Sequence, residues 1–348
     1  MVVNAVKKLS DRRQNNFNFI RLLAAICVII THSYAVLGLP ESDLLAKATR
    51  GLLSFSRLGV YVFFIISGFL ITQSLERSKT IWSFYWKRFL RIFPALAVVI
   101  FLAVFVLGPL MTNLSAGEYF KNSSTYRHLG GLTLYRMTFS LPGVFSHNLR
   151  PNTVNGSLWT LPYEWTCYVL LSLFVFCIKK NKKFVFLAAF ILALVIRALW
   201  GDRLSDKILP ILYLNSYHFL NYGLFFFSGV VAFVYKNYLK FSWWLAVICL
   251  LIICLGSKYS WGIYMLYCLL AYLVLYLAII KMPFRNFFLE RDYSYGMYIF
   301  VFPIQQILSQ FFSESLGVAS LALFAIICTL PFAVLSWHII EKPALKFK

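Results

Sequence analysis

The stretch Phe17-Asn18-Phe19-Ile20-Arg21-Leu22-Leu23-Ala24-Ala25-Ile26-Cys27-Val28-Ile29-Ile30-Thr31-His32 is an apolar run broken by one cation and one imidazole. On a helix, eleven residues advance about 16 Å in about three turns. Arg21 and His32 therefore share one face at two depths. A basic residue at the end of a membrane helix is ordinary, but a histidine most of the way across is not. Ionisable groups inside a membrane helix are costly, so they face a cavity or a partner and mark function. The rest of the chain reads as a frame that holds this helix.

Composition agrees with a membrane setting. Of 348 residues, 61% are hydrophobic and only 13% charged, with 35 Phe and 21 Tyr. A soluble domain of this size could not cover so much apolar surface. Apolar runs near twenty residues recur from end to end, which is the mark of a polytopic membrane protein. The spacing predicts ten spans, at about 17–37, 58–75, 92–111, 157–178, 184–200, 217–235, 241–256, 261–280, 293–312 and 318–340. An even number puts both termini on one side. With that side cytoplasmic, 21 Lys and Arg fall in inner segments and 10 in outer ones, as the positive-inside rule requires. The expected fold is thus an all-α, polytopic membrane helix bundle with both termini cytoplasmic. One domain over residues 1–348, with no appended soluble domain, is expected. The formal charge of +21 is read as loops meeting anionic lipid, not as a nucleic-acid surface. Lys7, Lys8, Arg12 and Arg13 before the first run imitate a signal peptide. That run is too long for a typical h-region and lacks a small-residue cleavage site, so an uncleaved first span is expected. The seven cysteines lie in apolar runs without CxxC or Cys/His spacing, so no metal site and no disulfide framework is indicated.

Several segments carry polar groups that a scaffold does not need. Phe63-Phe64-Ile65-Ile66-Ser67-Gly68-Phe69-Leu70 has a Ser-Gly pair, which in a membrane helix lets another backbone approach. Trp82-Ser83-Phe84-Tyr85-Trp86-Lys87-Arg88-Phe89-Leu90-Arg91 alternates aromatic and basic residues, as an interfacial helix on the inner leaflet does. Arg88 and Arg91, three apart, share a face; they are either lipid anchors or a clamp for phosphate oxygens. The loop 112–156 reads as an outer lid or a surface for a polar acceptor, and His128 and His147 in it as ordinary surface histidines.

The fourth span opens Asn155-Gly156-Ser157-Leu158-Trp159-Thr160-Leu161-Pro162-Tyr163-Glu164. Glu164 is the one acidic residue inside any expected span, about 10 Å deep from the outer side. His32 reaches a similar depth, so the two are expected to pair, with Arg197 as a rival partner for the carboxylate. Pro162 is expected to kink this helix. The ninth span, from Tyr293, carries Tyr295, Tyr298, Gln305 and Gln306.

Taken together, Arg21-(ten residues)-His32, Ile66-Ser67-Gly68-Phe69, Arg88-x-x-Arg91, Ser157-Leu158-Trp159-Thr160-Leu161-x-x-Glu164, Ser294-Tyr295-Gly296-x-Tyr298 and Glu341-Lys342-Pro343 stand in family order. Over essentially its whole length the chain resembles the acyltransferase family 3 integral membrane proteins, which O-acylate cell-surface glycans. The resemblance implies a cytoplasmic acyl-CoA donor, most simply acetyl-CoA, used as co-substrate with no permanently bound cofactor. It also implies His32 as the catalytic histidine and Arg88 and Arg91 as donor ligands. Many relatives carry a histidine in the ninth span where this chain has Val301, which leaves a second catalytic histidine without support.

On this reading the acceptor is a surface polysaccharide or lipid-linked sugar, the partners are acyl-CoA and membrane lipid, and the location is the bacterial inner membrane. Arg21 guards the donor entry and His32 acts as general base. Glu164 orients His32 as a carboxylate does in hydrolase triads. Trp159 and Tyr163 offer faces to a sugar ring, and Tyr298 donates to the oxyanion. The competing readings are a flippase of lipid-linked sugars and a non-catalytic glycan-binding partner. Polar groups clustered in a few helices, without an inverted repeat, argue against the flippase.

Overall fold

Helix α1 (Phe17–Val36) buries Ile20, Ala24, Ala25, Val28 and Ile29, a spacing that turns one stripe of the helix inward. The computed structural model describes the chain except residues 1–7, 10, 12–13, 179, 205–206, 210–211 and 283–284, so Lys7, Arg12 and Arg13 lie outside the described residues. The remaining long helices are α2 (Phe55–Arg77), α3 (Ile81–Leu102), α4 (Leu161–Cys177), α5 (Lys182–Trp200), α6 (Ser216–Val234), α7 (Trp243–Gly256), α8 (Gly262–Ile279), α9 (Ser294–Phe312) and α10 (Val318–Leu335). The described β structure is one two-stranded ribbon, β1 (Ile208–Leu209) antiparallel to β2 (Leu214–Asn215). The chain is an all-α, multi-pass membrane bundle.

Each of the ten expected spans is a helix, but eight are long and apolar enough to cross a membrane by length and composition. Helix α7 has 14 residues, short of the roughly 20 that a bilayer core needs. Helix α9 is long enough but falls outside those eight. It carries Tyr295, Tyr298, Gln305, Gln306 and Ser309, and most of its residues are buried inside the bundle rather than turned to lipid.

Helix α2 is the central element and packs most extensively on α6 and α1. Glycine makes the first contact possible. A Cβ on Gly68 would lie 1.9 Å from the carbonyl oxygen of Phe226, and one on Gly229 would lie 2.1 Å from that of Ile65. The two backbones touch across these hydrogens, the small-residue contact that replaces a hydrophobic driving force in lipid.

Three local expectations change. The basic-aromatic segment is not a separate interfacial helix; it is the first part of α3, which runs on through a π-helical turn (Ala103–Leu107) to Met111. Pro162 does not kink α4. It sits in its first turn, where a missing N–H breaks no bond, and a 3-10 turn (Gly156–Thr160) precedes it. The loop 112–156 contains short helices (Ala116–Lys121, Ser123–Arg127) and packs on the outer end of α3. Tyr119 is buried there and donates to the Val104 carbonyl at 2.9 Å. His128 is 3% exposed, not a surface residue; His147 is exposed, as expected.

Gly68→Ala and Gly229→Ala are each expected to lower stability by about 1–3 kcal/mol through overpacking. Gly223→Ala, on the same helix as Gly229 but with nothing within 4 Å of the added Cβ, is expected to be neutral or slightly stabilising. Thermal unfolding of the detergent-solubilised protein checks all three.

Candidate active site

Helices α1, α2, α3, α4 and α9 enclose a cavity of ≈ 600 Å³. Arg77, Lys87, Arg88, Lys342 and Lys348 line it beside Asn15 and Asn18, so the segment that leads into α1 and the last residue of the sequence meet at one basic mouth. Deeper in, the wall is mainly apolar, with Phe64, Leu70, Ile71 and Leu161. At the far end the lining includes Val60, Phe63, Thr160 and Tyr298. The Tyr298 ring stands edge-on to Phe63 at 5.8 Å, and its hydroxyl lies 2.6 Å from Thr160 Oγ1.

Five expected site residues, Arg21, Arg88, Arg91, Glu164 and Tyr298, line this one cavity. The arginines are not equivalent. Asp292 Oδ2 accepts from Arg91 Nη2 at 2.5 Å and from Arg21 Nη1 at 3.3 Å. The other arm of Arg91, Nη1, reaches Glu341 Oε2 at 3.1 Å. Ser294 Oγ donates to Asp292 Oδ1 at 2.5 Å, and Ser336 Oγ to Glu341 Oε1 at 2.9 Å. Burial pushes the Asp292 carboxyl up. The Arg91 and Arg21 guanidiniums and the Ser294 hydrogen bonds outweigh it and hold the group below the usual carboxylate range. Arg88 instead donates to Ser74 Oγ at 3.3 Å on the cavity wall.

Asp292 and Glu341 were missed as site residues because each falls one residue outside an expected span. For Glu341 the trace in the sequence is the Glu341-Lys342-Pro343 motif; the structure adds that it belongs to a π-helical turn (Ser336–Glu341) that continues α10, and π-turns inside helices frequently occur at functional sites.

Glu164 lies in the first turn of α4, where the helix dipole favours an anion. Its Oε1 accepts from Ser67 Oγ at 2.5 Å and from the Tyr168 hydroxyl. The expected pair with His32 is not formed, and the rival Arg197 donates to the Tyr217 hydroxyl at 3.1 Å instead. The helix register is the reason: Ser67 from α2 and Tyr168, one turn further along α4 itself, hold the carboxylate, and His32 makes no contact with it.

His32 does not line the cavity. Its helical turn is fixed from three sides. Thr31 Oγ1 donates to Asp43 Oδ2 at 2.6 Å, the Ser56 amide donates to Thr31 Oγ1 at 2.8 Å, and Gln305 Nε2 donates to the Ile29 carbonyl and to Ser33 Oγ. The Thr31–Ser56 bond sets the level. Val60, the outermost α2 residue on the cavity wall, is one turn further inward, about 6 Å. Helical side chains lean toward the N-terminus, so the imidazole leans down toward the cavity head. Phe302 meets it edge-on, with centroids 5.5 Å apart, and Nδ1 is buried without a hydrogen-bond partner.

Trp159 and Tyr163 belong to a separate outer aromatic cluster. Trp159 lies edge-on to Tyr163 at 5.7 Å and to His218 at 5.1 Å. His218 stacks on Tyr222, and Tyr163 accepts from the Asn215 amide at 3.1 Å. His218 was not among the expected site residues; its only trace in the sequence is Tyr217-His218-x-x-x-Tyr222, which puts rings on one helix face.

Comparison with known proteins supplies a name for the architecture. The model of the acyltransferase domain, acyltransferase family 3, matches residues 14–338. The chain is 32% identical over 333 residues to an O-acetyl transferase of Shigella phage Sf6, covering 95% of this chain and 96% of that protein. It is 29% identical over 368 residues to Nodulation protein 10 of Rhizobium leguminosarum bv. viciae, covering 97% and 95%. No solved structure matches the chain. A match that opens just before α1 and closes inside the π-turn after α10 leaves none of the ten helices outside it, and the chain belongs to acyltransferase family 3.

Proposed function

We propose that the protein is a membrane O-acyltransferase. It moves an acyl group, most simply acetyl, from cytoplasmic acyl-CoA to a hydroxyl of a surface polysaccharide or lipid-linked glycan across the bacterial inner membrane. One observation carries the reading: a cavity with Arg77, Lys87, Arg88, Lys342 and Lys348 at one end continues between α1, α2, α4 and α9 along a wall of Phe64, Leu70, Ile71 and Leu161 interrupted by a few polar groups. Such a shape suits a donor with an anionic head and a slender arm. The printed name of the phage relative, O-acetyl transferase, supports the choice of acyl group and of oxygen as acceptor atom.

The roles follow from the contacts. Arg88, with Lys87 and Arg77 nearby, meets the donor phosphates, since guanidinium matches phosphate oxygens. Arg21 and Arg91, each already bound to Asp292, brace the mouth instead of clamping the ligand. The thioester stops near Thr160 and Tyr298, whose hydroxyls are the nearest donors for a developing oxyanion. His32, on the outer side of this head, takes the proton of the acceptor hydroxyl as its oxygen attacks the thioester carbonyl. The carbon–sulfur bond then breaks, and the imidazolium returns the proton to the leaving thiolate. Trp159 and Tyr163 face the incoming sugar. Phe302, Tyr298 and Phe63 stand between His32 and the cavity, so transfer requires these rings to part; until they do, they keep water from the thioester.

His32→Ala is expected to lower kcat by ~10²–10⁴ while CoA binding persists, read as CoA release and acceptor acylation by the reconstituted protein. Wild-type turnover in well-folded mutant protein would end the role given to His32. The arginines should separate. Arg88→Gln is expected to raise the KM for acetyl-CoA about tenfold with little loss of stability, because one charge-assisted hydrogen bond to phosphate is lost. Asp292→Asn leaves buried guanidinium charge undercompensated and is expected to cost on the order of 3 kcal/mol, measured by thermal unfolding.

A further inference from the structure

Among the described residues, Gln73 and Glu164 each keep a polar atom without a hydrogen-bond partner on the cavity wall, between its basic end and the head. Gln73 is 8% exposed and lines the wall, yet its Nε2 is buried without a hydrogen-bond partner. Glu164 presents the complementary case. Both hydroxyls that reach it, from Ser67 and Tyr168, donate to Oε1, which leaves Oε2 as an open acceptor on the cavity wall. One group offers an N–H and the other accepts one.

Their order along the cavity is set by α2. Ser74, which holds Arg88, and Ser67, which holds Glu164, are seven residues apart, about 10 Å. The Gln73 side chain leans toward the N-terminus of α2, hence from the Ser74 level toward Ser67. From mouth to head the sequence is therefore cation, amide donor, carboxylate acceptor, with Leu70, Ile71 and Phe64 between.

Resting on the donor reading above, we propose that Gln73 and Glu164 bind the two amides of a phosphopantetheine arm. Gln73 Nε2 donates to a carbonyl of the arm, and Glu164 Oε2 accepts an amide N–H closer to the thioester. The chemistry selects this ligand over others. A fatty chain would leave both polar groups buried and unpaired, which costs free energy. A sugar would set its hydroxyls against the apolar wall. An arm of methylene segments joined by two amides satisfies the polar groups and the wall together. Glu164 is thereby a donor-binding residue rather than the partner of His32.

The full chain in lipid nanodiscs tests this with acetyl-CoA and with an analogue whose thioester-proximal amide N–H is replaced by an ester oxygen. In wild type the analogue should raise the donor KM by about tenfold to a hundredfold, the effect of one hydrogen bond to a charged group. Glu164→Gln turns an N–H toward the arm N–H and should raise the KM for acetyl-CoA by a similar factor. With the analogue, Glu164→Gln should add no further penalty, because the bond is already missing. Losses that multiply, or a KM that does not move, would overturn the assignment. Gln73→Leu keeps the size and removes the amide; it should raise the KM for acetyl-CoA but multiply with the analogue, since it serves the other amide. An unchanged KM in folded Gln73→Leu would remove Gln73 from the site even if Glu164→Gln failed to fold. Acetyl-pantetheine and an acetylated carrier protein, run beside acetyl-CoA, identify the source of the arm. A wild-type protein that uses none of the three ends the donor reading itself, whereas one that uses any of them with both variants unaffected ends only this inference.

Discussion

Asp292 lies between two guanidinium groups, and the basic end of the bundle depends on that arrangement. A cation at the end of a membrane helix can reach toward water, but Arg21 and Arg91 turn inward, where an unpaired charge is expensive. Asp292 meets both with a single oxygen, and Glu341 takes the second arm of Arg91, so two carboxylates face two guanidiniums. The four residues come from α1, α3, the segment before α9 and the turn after α10, so one network ties four distant parts of the chain together. Ser294 and Ser336 occupy the remaining carboxylate oxygens. With every oxygen engaged, the network is braced rather than poised to exchange partners.

The bundle handles two separate chemical environments along one axis. The cavity communicates with the basic end, where an anionic donor head is favoured. His32 is off the cavity wall and packs edge-on against Phe302, whereas Tyr298 and Thr160 line the wall. The 3-10 turn Gly156–Thr160 touches both settings. Gly156 packs so closely on Phe302 that an added Cβ would lie 2.9 Å from its ring. Trp159 turns to the outer aromatic cluster, and Thr160 turns to the cavity head. One short turn therefore touches all three regions, and in the proposed reaction it is the element across which the acyl group must pass.

How much of this was legible beforehand depended on distance along the chain. The ten helices follow from apolar run length alone, because in lipid each helix must satisfy its own backbone hydrogen bonds. The placing of Arg88 and Arg91 on one cavity wall and the family itself also follow, since each rests on short motifs, whereas Arg21 and His32, read as one face, part company: Arg21 lines the cavity and His32 does not. The roles within the arginine pair do not follow. Arg88 and Arg91 share a helix face and look interchangeable in sequence. They differ because Asp292, some two hundred residues away, meets one of them.

Glu164 shows the same limit. Its depth could be reckoned from residue count, and that depth matched His32, but depth does not specify azimuth around a bundle axis. Packing of α2 against α4 brought Ser67 to the carboxylate and left His32 beside Phe302. The sequence by itself determined that this is a membrane bundle of acyltransferase family 3 with charge concentrated in a few helices, because hydropathy and helical period are local. Only the tertiary structure decided which charges cancel and which face the cavity, because a buried charge takes whichever partner the packing of other helices delivers.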